Sequence, residues 1–187
     1  MPSWTGNLTS QAPVAGPAGF YYADVPNRTI AFVIDGIIVG IAGFVVDLLA
    51  RSVLGINVFG GSFHTTTSLL VSSILTAIVF GAYFIYTWVA MRATPGMRLL
   101  GMQVGHETDG RTMTFQQAAY RFAIMWGPYL VSLLLLFVIP AIGLLTYLVA
   151  LGWGILLLIT TAQSPTKQGL HDKYAQTMVV KAARQVG

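Results

Sequence analysis

The sequence contains no cysteine, which excludes a disulfide-built scaffold, a thiol nucleophile and any thiolate metal site. Charge is almost as scarce. Asp, Glu, Lys and Arg make up 9% of the 187 residues, against roughly 25% in a soluble domain, so an ordinary water-soluble fold is excluded. The ten Lys and Arg outnumber the six Asp and Glu, giving a net charge of +4. These bases are scattered between apolar runs and form no patch of the kind nucleic acid requires. What the chain has in abundance is apolar surface, with 55% hydrophobic residues and a mean hydropathy of +0.71. The expected partner is therefore a lipid bilayer, and the apolar runs supply about four spans of roughly 20 residues each.

Residues 1–25 are rich in Pro, Gly, Ser and Ala, carry only Asp24 as charge, and lack the basic start and apolar core of a signal peptide. They read as a tail ahead of one transmembrane domain over 26–181, with 182–187 as a second tail. Pro26 and Asn27 mark the start of the first span, at about 29–50. The second, about 68–90, closes with Tyr86 and Trp88, rings that favour the headgroup level. A run from Arg121 to Thr161 is too long for one crossing, and Pro140 with Gly143 divides it into spans at about 119–139 and 141–161. Four crossings put Arg28, Arg92, Arg98, Arg111, Arg121, Lys167, Lys173, Lys181 and Arg184 on one side and leave Arg51 on the other. That asymmetry predicts a multi-pass protein of the cell (plasma) membrane with both termini cytoplasmic and a basic face meeting anionic lipids.

Short structured segments are expected on the cytoplasmic side. Residues 99–105 and 111–115 flank Thr108-Asp109-Gly110, a tight-hairpin signal. Thr114 and Gln117 have capping-box spacing and predict a helix start, while Gln176–Lys181 reads as a last short strand that pairs with the hairpin. Thr94-Pro95-Gly96 reads as a turn ending the second span, with amides near Arg98 as a secondary anion site. The expected fold class is an all-α membrane protein, a bundle of about four transmembrane helices with a small cytoplasmic β-hairpin.

Two ionisable residues of the first span stand out. At about 100° per residue, Arg28 and Asp35 fall within roughly 20° of each other. Ile30, Ile34, Ile37, Ile41, Phe44 and Leu48 cover the opposite sector, which lipid should see. Gly36, Gly40 and Gly43 lie beside the acidic stripe, where another helix of the chain is expected to pack closely. Asp35 sits about 10 Å inside Arg28, where an exposed charge costs of order 2.5–3.5 kcal/mol. It is either a structural, hydrogen-bonded acid or a carboxylate on a cation or proton path. Ser72, Thr76, Tyr83 and Thr87 form a polar stripe on the second span that either lines such a path or only bonds between helices and to its own backbone. Asp47 and Arg51 read as an interfacial pair, and Pro128 as a kink in the third span. His171 beside Asp172 reads as an interfacial hydrogen-bonding histidine. His64, His106 and Glu107 form no metal-ligand pattern, so neither metal nor cofactor is expected.

Three segments in order, NRTIAFVIDGIIVG (27–40), ATPGMRLLGMQV (93–104) and QGLHDKYAQTMVV (168–180), resemble the RDD family of bacterial membrane proteins. The family's Arg and two Asp map onto Arg28, Asp35 and Asp172, and Met97 stands where many relatives have lysine. The resemblance implies a polytopic protein for which transport has been suggested. It also implies that Asp172 returns to the first span and meets Arg28 at the mouth, with Asp35 further in.

Two functions compete. One is a small transporter exchanging a monovalent cation for protons, or carrying an unknown ligand, through Asp35, Arg28 and Asp172. Ser72, Thr76, Tyr83, Thr87, Arg98 and His171 would support it, and its small size calls for a homo-oligomer. The other is a non-transporting accessory, structural or lipid-interacting subunit of a membrane complex. No nucleophile with its base, paired catalytic acids or phosphate loop is visible, so an enzyme is not expected.

Overall fold

The computed structural model describes residues 20–54 and 66–182. In chain order the elements are β1 (Phe20–Tyr22), α1 (Val25–Leu54), α2 (Thr66–Met91), α3 (Pro95–Leu99), β2 (Met102–His106), α4 (Phe115–Val138), α5 (Pro140–Gln163), α6 (Leu170–Tyr174) and β3 (Thr177–Ala182). Among the described residues, Val25–Val45, Phe115–Leu136 and Pro140–Gln163 are long and apolar enough to cross a membrane. Ala77–Met91 is a shorter apolar stretch within α2. The stretch Phe20–Val25, expected as tail, instead supplies β1 and the first residue of α1.

The start of α1, the end of α2, the start of α4 and the end of α5 gather at one end of the bundle with the three strands and two short helices. Tertiary burial concentrates there. Ala31, Phe84, Trp88, Ala93, Met102, Val104, Met113, Ala118 and Val179 form one core. Away from it the helices present apolar side chains outward. Ile30, Ile37, Ile41, Phe44 and Leu48 are all exposed, as the helical projection requires, and an apolar face of that extent is a lipid-facing one.

The strands form an antiparallel sheet in the order β1-β3-β2. Tyr22 is opposite Val180, and Val104 is opposite Val179. The expected hairpin is thus half present. Gly110 has φ +66°, and its N–H bonds the His106 carbonyl at 2.9 Å, so the Asp109-Gly110 turn exists. Its second arm does not become a strand, because Thr114 is committed to capping α4: its side chain accepts from Gln117 N, and Gln117 answers with a bond to Thr114 N. The partner of β2 is the C-terminal strand.

Helices α4 and α5 form a tight antiparallel hairpin at Ile139-Pro140. A Cβ on Gly143 would lie 2.1 Å from Leu136 Cα, so only glycine permits this approach. Pro128 removes one helical donor inside α4 and so frees the carbonyl of Ile124. Trp153 Nε1 from α5 donates to that oxygen at 2.8 Å. The proline thereby creates an interhelical bond. The first-span glycines behave differently from expectation: nothing among the described residues lies within 4 Å of a Cβ on Gly36, Gly40 or Gly43. The close partners of α1 among the described residues engage its Ala31 and Asp35 side instead.

Candidate functional site

The site is built on two buried carboxylates that fasten the bundle to its capping elements. Asp35 is 2% exposed. Its Oδ1 accepts from Tyr83 Oη at 2.8 Å and from the backbone N–H of Gly96 at 2.8 Å, while Thr94 Oγ1 donates to Oδ2. Thr94 is also the N-cap of α3, accepting from Met97 N at 3.2 Å. One carboxylate therefore joins α1, α2 and the start of α3, and charge-assisted bonds from neutral donors are the strong kind. The Thr94-Pro95-Gly96 turn acquires its reason here. Proline suits the first helical position, and a Cβ on Gly96 would lie 2.2 Å from the Ala31 carbonyl oxygen, so a larger residue would push α3 off α1.

Asp172 is fully buried and forms the second junction. Arg28 Nη1 meets its Oδ2 at 2.6 Å, the contact expected from the mapped motif, and Arg121 Nη1 bonds its Oδ1. Arg28 bonds through all three nitrogens, since Nη2 donates to the Lys167 carbonyl at 2.7 Å and Nε to that of Ala23 at 2.9 Å. Lys167 takes φ 52°, a left-handed conformation uncommon for a residue with a side chain. Arg121 Nη1 also donates to Thr177 Oγ1 at 2.7 Å, so α1, α4, α6 and β3 converge on this one carboxylate. Burial alone would push the Asp172 carboxyl up. The guanidinium groups of Arg121 and Arg28 reverse that and hold it well below the usual carboxylate range.

His171 Nε2 lies 3.6 Å from Asp172 Oδ2. Burial pushes its pKa down to about 4; Asp172 opposes that shift, and Arg121 and Arg28 assist it. The imidazole is neutral at pH 7. The buried cluster therefore carries two guanidinium charges against one carboxylate.

The remaining expected residues separate. Tyr83 faces Asp35, but Thr87 Oγ1 donates to the carbonyls of Tyr83 and Phe84 in its own helix, at 2.8 and 3.1 Å. The side chains of Ser72 and Thr76, and of Asp47 and Arg51, lie outside the described residues, as does His64. Arg98 is exposed and, among the described residues, reaches only the Met91 carbonyl, at 3.5 Å. Sequence reasoning missed Arg121 and Thr94 as site members. Arg121 was detectable in principle, since it falls inside the helix that the Thr114 cap opens, yet nothing local ties it to a residue 51 positions later.

A cavity of about 540 Å³ lies between α1, α4 and α5 beside these junctions. Arg28, Asp35, Thr94, Arg121 and His171 are among its polar lining, and Phe32, Trp126, Leu151, Ile155 and Leu158 among its apolar lining. Its size is within the range of about 300–1,000 Å³ typical of small-molecule sites.

An apolar helical bundle, capped at one end by a small sheet and fastened there by two buried carboxylates, defines a helical membrane protein. The model of the RDD family matches residues 22–176, and the chain belongs to that family. No curated protein and no solved structure matches it.

Proposed function

We propose that this chain is a non-transporting, lipid-interacting accessory subunit of a membrane complex, in which the family's Arg and two Asp lock the bundle to its cap. The observation that carries this reading is that both Asp35 oxygens are engaged by hydrogen-bond donors from neighbouring elements. Its two oxygens face a tyrosine hydroxyl, a threonine hydroxyl and an amide N–H. A cation path needs carboxylate oxygens left open to the ion, with further oxygens beside them, to replace a hydration shell. Asp172 is likewise committed to two arginines. In this reading the protein is a non-enzymatic, multi-pass component of the plasma membrane with both termini in the cytoplasm. Its basic end rests against anionic headgroups.

The alternative, exchange of a monovalent cation for protons or passage of an unknown ligand, is favoured by one observation: Asp35 and Thr94 both reach the cavity wall. Purified protein in sealed vesicles under an imposed sodium or potassium gradient separates the two. The accessory reading expects proton flux equal to that of empty vesicles. Flux in the wild type that Asp35→Asn abolishes, with the variant still folded, would establish transport instead.

A further inference from the structure

Several buried N–H groups that line the cavity have no partner among the described residues. Among the described residues, Arg121 Nε, Trp88 Nε1 and Trp126 Nε1 are buried without a partner, and all three residues line the cavity. Buried N–H groups are nearly always paired, so orphans such as Arg121 Nε and Trp88 Nε1 on one cavity point to an acceptor supplied from outside the chain. Arg121 and Trp88 are each at least nine-tenths buried. They are also neighbours, with the Arg121 guanidinium carbon 5.0 Å from the centre of the Trp88 ring. Among the described residues Arg121 bonds through Nη1 alone, whereas Arg28 bonds at all three nitrogens. Among the described residues, the donors Asp35 receives are Tyr83, Thr94 and the Gly96 amide, none of them an orphan.

The rest of the cavity has a direction. From Trp88 a row of rings leads away from the charged end: Phe84 at 5.4 Å, Trp126 a further 6.1 Å on, then Phe32 at 5.3 Å. Ile155 and Leu158 of α5 form the facing wall and are themselves exposed on the lipid side. The cavity is cationic and donor-rich at one end and apolar along its length, complementary to a molecule with the reverse distribution.

We propose that this cavity binds a single-chain anionic amphiphile, with an acceptor-only head at Arg121 and Trp88 and its alkyl chain along Phe84, Trp126 and Phe32 against α5. The head is a carboxylate or a phosphate ester; an ionised head of either kind offers the oxygens that the Arg121 and Trp88 N–H groups lack. This inference deepens the lipid-interacting reading and names its ligand class.

The test uses the full chain in uncharged detergent, with its own tryptophans as reporters. Three amphiphiles with the same brominated acyl chain are titrated: a lysophosphatidic acid, a fatty acid and a lysophosphatidylcholine. Saturable quenching is expected with either anionic head, with affinity at least about tenfold above that of the zwitterion. Relative strength between the two anionic heads identifies which one the site prefers, and excess inorganic phosphate should not relieve the quenching. Trp88→Phe, which keeps the ring and deletes the donor, should weaken anionic binding several-fold while Trp126 still reports. The double variant Ile155→Phe/Leu158→Phe fills the apolar end without touching either carboxylate junction and should abolish saturation. Equal response to all three heads, no saturable quenching, displacement by phosphate alone, or unchanged affinity in the filled variant would each overturn the proposal. The vesicle experiment fails separately: flux through Asp35 would defeat the accessory reading whatever binds here, and absent binding without flux would leave that reading standing without this ligand.

Discussion

At the residue scale the two acids differ in what their loss leaves behind. Asp35→Asn keeps the shape but replaces one acceptor oxygen with an amine facing donors, so a bond is lost and two N–H or O–H groups oppose each other. A loss of about 2–3 kcal/mol is expected, read as a lower unfolding midpoint in detergent. Asp172→Asn leaves Arg28 and Arg121 without their shared counter-charge, one of them deeply buried. That should cost about 3–5 kcal/mol, more than Arg28→Gln, since Arg28 is partly exposed and has two carbonyl acceptors besides. If Asp172→Asn proved the milder of the two, the convergence on that carboxylate would have no energetic meaning. His171 adds a pH dependence. Its folded pKa of about 4 lies below the ordinary 6.5, so the unfolded chain takes up the proton first and stability falls as pH drops through 6.5 toward 4. The full loss is about 3 kcal/mol. Below that window Asp172, held low when folded, forfeits its own contribution as it protonates. Thermal unfolding at pH 7 and pH 5 should show the shift, and His171→Gln should flatten it.

At the element scale glycines provide the sharpest contrast. Gly96→Ala drives a Cβ to 2.2 Å from the Ala31 carbonyl oxygen and prises α3 from Asp35, whereas Gly36→Ala meets nothing among the described residues. The first should destabilise by several kcal/mol. The second should be neutral or gain up to about 1 kcal/mol of helix propensity. Parallel melting curves of the two variants decide it. The helices were legible because their cues are local: Thr114 and Gln117 cap α4, and Pro140 with Gly143 turns the long apolar run. The strand pairing was not. An Asp-Gly dipeptide specifies a turn but not which strand completes the ladder, and the choice between residues 111–115 and the C-terminal segment depends on Thr114 being taken by the helix. Likewise the Gly36-Gly40 spacing shows where a helix could approach and not whether one does. The Arg28 and Asp172 contact, separated by 144 residues, came into view only through the family's motif; the Asp35 cage did not, because its donors include a backbone amide that no side-chain pattern encodes.

For the whole molecule, the absence of cysteine makes topology directly measurable. Thr108→Cys and Ser62→Cys, each in an otherwise cysteine-free chain, should react from opposite faces of intact cells with a membrane-impermeant maleimide, Ser62→Cys from outside and Thr108→Cys only after lysis. Labelling of both from one face would contradict the charge asymmetry. The fastening of Asp35 by a threonine and an amide lying 59 and 61 residues downstream also imposes a schedule on biosynthesis. When the first helix leaves the ribosome, those groups do not yet exist, and at about 5–20 residues per second their arrival takes several seconds. During that interval the nascent helix must linger in the translocon's watery interior or beside an insertase with its acid uncapped, so chains truncated before Thr94 should partition poorly into the bilayer and be cleared by quality control.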